Sequence, residues 1–349
     1  MIDFRYHLVS IVAVFLALAI GIVLGSTELQ GNTIDVLRSS QNSLKNQLGQ
    51  SQAERGVAQQ QVSTDQTFLA TAEPRLLANE LPSDRIVLIT EPGASSTVIS
   101  GVKQAAAQAG ATVTGEVAIQ PKFNDLSGTT QSSLSQINGD LATADNTSLA
   151  TPSNEQTLDQ QQAAQLIGTA ILATTTAGET AGLSAADATT LLGAYAQAGY
   201  ITITPAVTDR ATLAVIVTPD TAPADGQNDP GTQVLLAIAQ EFAVESAATV
   251  VVGSTAGSSP AGSPIAALRA SSVASLVSTV DNADTIIGQV STIWALAEQL
   301  RGQKPNSYGI SGASAVSPVP LPVPSATPTI SASPHATQTG KGDKSVKKK

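Results

Sequence analysis

Cysteine is absent from all 349 residues, which removes disulfides, thiolate metal sites and cysteine nucleophiles together. Histidine is nearly absent: His7 and His335 lie near the two ends, so the intervening chain has none. A Ser-His-Asp triad is therefore excluded within that stretch, as is a zinc site built on Cys and His. Aromatic residues make up 3% of the chain, so any core must be aliphatic. Methionine occurs once, at the start. Basic charge is scarce and misplaced. Five Lys and one Asp fall in the last nine residues, leaving 12 basic and 26 acidic residues elsewhere. Residues 1–340, with a net charge of −14, are a poor partner for nucleic acid.

Apolar residues are plentiful at the N-terminus. Residues 8–24 read LVSIVAVFLALAIGIVL, with Ser10 the one polar side chain. The run is apolar on every helical face, unlike an amphipathic helix, and its length reaches the lower limit for crossing a bilayer. Phe4 and Tyr6 sit where interfacial aromatics belong; Arg5 precedes the run and Glu28 follows it. The positive-inside rule then assigns residues 1–7 to the cytoplasm, 8–25 to a transmembrane signal anchor and the rest to the extracytoplasmic side. A cleaved signal peptide is the competing reading, with 23–25 as a small-residue cleavage site.

Residues 28–80 are polar and Gln- and Ser-rich, with apolar residues at a spacing of three and four. With Ile34 as a first heptad position, Leu37, Leu44 and Leu48 fall on the same seam, and later heptads degrade through Ser51, Arg55 and Asp65. The pattern predicts a helical, coiled-coil-like stalk that pairs through Ile34, Leu37, Leu44 and Leu48. The partner is a second copy or an envelope membrane protein. The alternative is a single helix packed on the body.

The body is placed at 83–310. Continuous apolar runs at 86–90, 213–217 and 248–252 suit strands buried on both faces. Further strands are expected at 112–119, 200–204 and within 273–280. Helical spacing recurs at 98–109, 188–198, 232–244, 265–270 and 283–300, and residues 121–180 read as helices with loops. This alternation predicts an α/β fold with a doubly wound, mostly parallel sheet. Residues 311–349 hold six Pro and six Ser before position 341 and end in Lys, which predicts a disordered tail.

Two loops carry candidate chemistry. Glu91-Pro92-Gly93 ends the first strand at the edge where doubly wound sheets bind ligands, but it lacks the G-x-G-x-x-G and G-K-[ST] fingerprints. The bland reading is a tight turn with a Ser cap. Asp281 and Asp284 precede the final helix, where carboxylates serve acid–base work or cation binding, or simply cap the helix. Gly253–Ser259 reads as a small-residue connection, and Asp220, Asp225 and Asp229 as a solvated loop. No catalytic residue and no tightly bound cofactor or metal is assigned, and the chain reads as a non-enzyme.

The opening MIDFRYHLVSIVAVFLALAIGIVLG resembles the N-terminal signature of the actinobacterial MctB-like copper transport protein family. Residues 85–115, Ser278-Thr-Val-Asp-Asn-Ala-Asp284, Ala295-Leu-Ala-Glu-Gln-Leu300 and Tyr308-Gly309 are similar to it as well. The resemblance implies an envelope protein that limits intracellular copper, as an oligomeric channel component with a place in the outer, mycolate layer. It also implies a second role, since related members resemble envelope partners of a membrane protein in cell-wall remodelling. Copper is then a transported ion rather than a resident ligand. A transmembrane β-barrel would need alternating strands, whereas those here are continuously apolar.

Overall fold

The computed structural model describes residues 4–145, 147–149, 155–173, 183–204, 209–258 and 262–311. The tail therefore lies outside the described residues except for Ser311.

Helix α1 (Phe4–Leu77) is continuous from the apolar segment through the stalk. Its Arg5–Gly25 portion is the one described helix long and apolar enough to cross a membrane. At 1.5 Å per residue it spans about 31 Å, the thickness of a hydrocarbon core. None of it is covered by protein. Residues 26–65 continue for about 60 Å before the helix meets the body. Leu37, Leu44 and Leu48 are exposed at 71%, 66% and 60%. The side chain of Ile34 lies outside the described residues.

The end of α1 docks on the body at intervals of three and four. Gln66 Oε1 accepts from the Ile286 amide at 3.5 Å, and the Leu76 carbonyl accepts from Trp294 Nε1 at 3.3 Å. Glu73, Leu77 and the following Leu81 are buried. Burial raises the pKa of Glu73, opposed by a hydrogen bond with Gln108. Glu80 pairs with Arg301 at 2.8 Å. Body packing is thus true of the last three turns, and the upper stalk stands free of the body.

The body alternates β1 (Arg85–Thr90), α2 (Ser96–Gln108), β2 (Thr112–Ile119), α3 (Gly128–Ala144), α4 (Leu158–Ile171), α5 (Ala185–Gln197), β3 (Ile201–Ile203), β4 (Leu213–Val217), α6 (Pro230–Glu245), β5 (Ala248–Val252), the single turn α7 (Thr255–Ser258), α8 (Pro264–Arg269), β6 (Ser278–Val280), α9 (Ile286–Leu300) and β7 (Ser307–Tyr308). The strands form one sheet in the order β3-β2-β1-β4-β5-β6-β7. All pairings are parallel except that of β3 with β2. A tight reversal leads into β3. Gly199 adopts φ +77 after α5, the Tyr200 amide bonds the Tyr195 carbonyl, and the chain enters β3 at once. Gly110 (φ +89) does the same between α2 and β2.

Alternate strand residues feed two cores. Val87, Ile89, Ala214, Ile216 and Val251 face α3 to α6. Ile86, Leu88, Val215, Val217 and Val250 face α2, α9 and the end of α1. Coverage on both faces is why β1, β4 and β5 are apolar without alternation.

Candidate functional site

Strand β1 lies between β2 and β4, and the chain winds away from it in both directions. This is the switch point at which open α/β sheets leave a crevice beyond the strand ends. A cleft of about 390 Å³ occupies that position. Its walls come from the loops after β1, β2 and β4, the first turn of α6, and Pro264.

Glu91 sits at its floor. The Glu91 amide extends the β1–β4 ladder by bonding the Val217 carbonyl at 3.0 Å. The chain then turns, with the Ala94 amide on the Glu91 carbonyl at 3.0 Å. Gly93 makes that turn with φ +83, a conformation that a side chain would strain, and its carbonyl receives the Asp220 amide at 2.8 Å. Gly93 therefore shapes the loop, while Glu91 and Pro92 line the cleft. Ser95 occupies the cap position of α2, yet its side chain accepts no capping hydrogen bond, which corrects the Ser-cap reading.

The Glu91 side chain is 4% exposed. Its Oε2 accepts from Asn124 Nδ2 at 3.2 Å, and its Oε1 has no hydrogen-bond partner. Burial pushes its pKa up to about 7, the Asn124 bond opposes this, and the carboxylate of Asp229 adds to the rise. Asn124 is carried by the consecutive turns of residues 120–125 and leaves its Oδ1 unpartnered. Thr232, in the first turn of α6, leaves its Oγ1 unpartnered as well.

Asp229 is no solvated loop residue. It caps α6 by accepting the Thr232 amide at 3.0 Å, with Pro230 at the first helical position. A Cβ on Gly231 would lie 3.1 Å from both Asn124 Nδ2 and Asp229 Oδ2, so the backbone approaches these side chains closely. No Lys, Arg or His is among the residues that line the cleft.

Asp281 and Asp284 lie elsewhere, and neither caps the last helix. That helix starts at Ile286, and Thr285 caps it by accepting the Gly288 amide at 3.1 Å. The displacement follows from the preceding loop, where the Ala283 amide is drawn to the Gly253 carbonyl at 2.9 Å. Asp284 Oδ1 instead accepts the amide and hydroxyl of Thr255 at 2.8 and 2.9 Å, ordering the small-residue connection after β5.

Asp281 is fully buried. It accepts from Arg269 Nη1 at 2.8 Å, the Ile310 amide at 2.7 Å, and the amide and hydroxyl of Ser311 at 3.0 and 2.5 Å. Burial alone would raise its pKa; the hydrogen bonds from Ser311, Ile310 and Arg269 outweigh burial and hold it below the ordinary carboxylate value. Arg269 also donates to the Tyr308 and Ser311 carbonyls at 2.9 and 3.0 Å. With its oxygens saturated, Asp281 acts as a clasp on the chain leaving β7.

Among the described residues, no group of three or more His, Cys, Asp or Glu is arranged to hold a metal ion. The cleft offers oxygen atoms only, which are hard ligands unsuited to Cu(I).

Comparison with known proteins covers most of the chain. The family described as "Copper transport outer membrane protein, MctB" matches residues 1–320. The Copper transporter MctB of Mycobacterium tuberculosis (strain ATCC 25618 / H37Rv) is 29% identical over 314 residues, 88% of this chain and 96% of its own length. That of Mycobacterium leprae (strain TN) is 29% identical over 316 residues, 89% of this chain and 96% of its own.

Proposed function

This chain belongs to the MctB family of copper transport outer membrane proteins, and we propose that it is a membrane-anchored envelope protein that lowers cellular copper without holding the ion tightly. Family membership over residues 1–320 supports the copper role. The side chains support the absence of a resident site, since the cleft and the clasp contain oxygen and guanidinium groups but no sulfur or imidazole. In this reading α1 crosses the cytoplasmic membrane with Arg5 inside, and the free stalk lifts the body about 60 Å into the envelope. Copper moves through a path that several copies or a partner complete, because one helix encloses no pore. No catalytic step is required.

The test is cell-associated copper in a deletion strain under sublethal copper, with and without the intact gene restored. Copper that rises on deletion and falls on restoration supports the role.

A second reading, a non-enzymatic envelope scaffold acting in cell-wall remodelling, is favoured by the seam of Leu37, Leu44 and Leu48, exposed on a helix clear of the body. A photo-crosslinker at position 44 tests it. Capture of a second copy or of one membrane protein supports pairing through the stalk; absence of any crosslink counts against it.

A further inference from the structure

We propose that the cleft at the β1/β4 switch point binds the primary ammonium group of a small organic cation. Three residues that line the cleft carry buried oxygen atoms that the protein leaves without partners: Glu91 Oε1, Asn124 Oδ1 and Thr232 Oγ1. Glu91 and Thr232 are 4% and 1% exposed, so bulk water does not readily serve them. A primary ammonium carries three donors and no acceptor, which matches three accepting oxygens.

Charge selects the same class. Glu91 and Asp229 are two carboxyl groups close enough to repel, with no Lys, Arg or His on the cleft wall. A cation relieves that repulsion, an anion aggravates it, and a neutral polyol leaves it in place. The Asn124 amide donates to Glu91 Oε2 at 3.2 Å through Nδ2, and its Oδ1 has no partner within the protein. The apolar part of the wall suits a short alkyl stem, with Pro92, Pro219 and Pro230 supplying rigid rings beside the polar floor. A bare metal ion fits less well, because the described residues gather no set of three acidic or imidazole ligands.

The inference stands apart from the copper role and is tested on purified full-length protein in detergent. Calorimetric titrations at pH 8 use n-butylamine, 1,5-diaminopentane, n-butanol and glucose. The amines are expected to bind saturably and the two neutral compounds not at all. Glu91→Gln is expected to weaken amine binding tenfold or more, since a charge-assisted hydrogen bond becomes a neutral one. Thr232→Val is expected to weaken it severalfold, and thermal melts confirm that both variants are folded. Equal binding of glucose or butanol, no amine binding, or amine binding that Glu91→Gln leaves unchanged would each overturn the proposal.

Discussion

Replacing Glu91 with Gln should make the protein more stable at pH 8 and make little difference at pH 4. In the unfolded chain this carboxyl ionises near its ordinary value of 4.5, whereas in the fold it does so only near 7. Between those values the unfolded state releases a proton that the native state keeps, so rising pH favours unfolding. The stability tied to Glu91 is fully present below pH 4.5 and lost as pH rises through 7. At about 1.4 kcal/mol for each pKa unit, the loss is about 3 kcal/mol. Glutamine keeps the shape and the hydrogen-bonding capacity but has no charge to bury. The melting temperature of Glu91→Gln relative to the parent should therefore climb between pH 4 and pH 8 by about 6–12 °C for a body of this size. Glu73, Asp84 and Glu245 also have raised pKa values through burial, so the parent's own pH profile is a composite. The difference between the two proteins isolates Glu91. A gap that stays constant from pH 4 to 8 would refute the burial argument.

Asp281→Ala should cost roughly 3–5 kcal/mol, because it strands the half-buried Arg269 and unties Ser311; chemical denaturation measures it. The Asp281 contribution is fully present above its ordinary pKa of 3.8 and should fade as pH falls further, visible as a shrinking gap between parent and variant. Leu44→Asp, which puts a charge on the exposed seam, should reduce self-association of the full-length protein in light scattering if the stalk pairs with itself. Deleting residues 1–25 should move the protein from the carbonate-resistant membrane fraction to the soluble one, and intact-mass analysis of the parent should give 35.3 kDa with the anchor retained.

The fold was legible wherever burial dictated residue type. Residues 86–90, 213–217 and 248–252 are apolar without alternation because helices cover both faces of the sheet, and that pattern needs no tertiary knowledge. Gly110 announced the end of α2 because the left-handed turn it makes excludes most other residues. The edge strand β3 was legible as a strand within 200–204, but its antiparallel orientation was not, since that depends on pairing with a distant strand. The expected start of α9 lies too early because Asp281, Asn282 and Asp284 are all good capping types; only the three-dimensional course shows that the two carboxylates serve Arg269 and Thr255.

The cleft was half visible. Glu91 follows a buried strand, but its hydrogen-bond partner Asn124 and the cleft residue Thr232 lie 33 and 141 positions further along. No local pattern ties them to it. One signal was available: Asp229-Pro230 reads as a cap followed by a first-position proline, which marks a helix start rather than a solvated loop.

The central claim is that this protein lowers cellular copper without storing it, and the direct measurement is elemental analysis of copper in deleted, restored and parent cells grown at one sublethal copper concentration, paired with copper titration of the purified protein. The account predicts copper accumulation on deletion, reversal on restoration, and no tight stoichiometric copper binding by the isolated chain. Unchanged cellular copper together with weakened cell-wall integrity would contradict the copper role and leave the scaffold reading; tight binding by the purified protein would contradict the argument from its missing ligands.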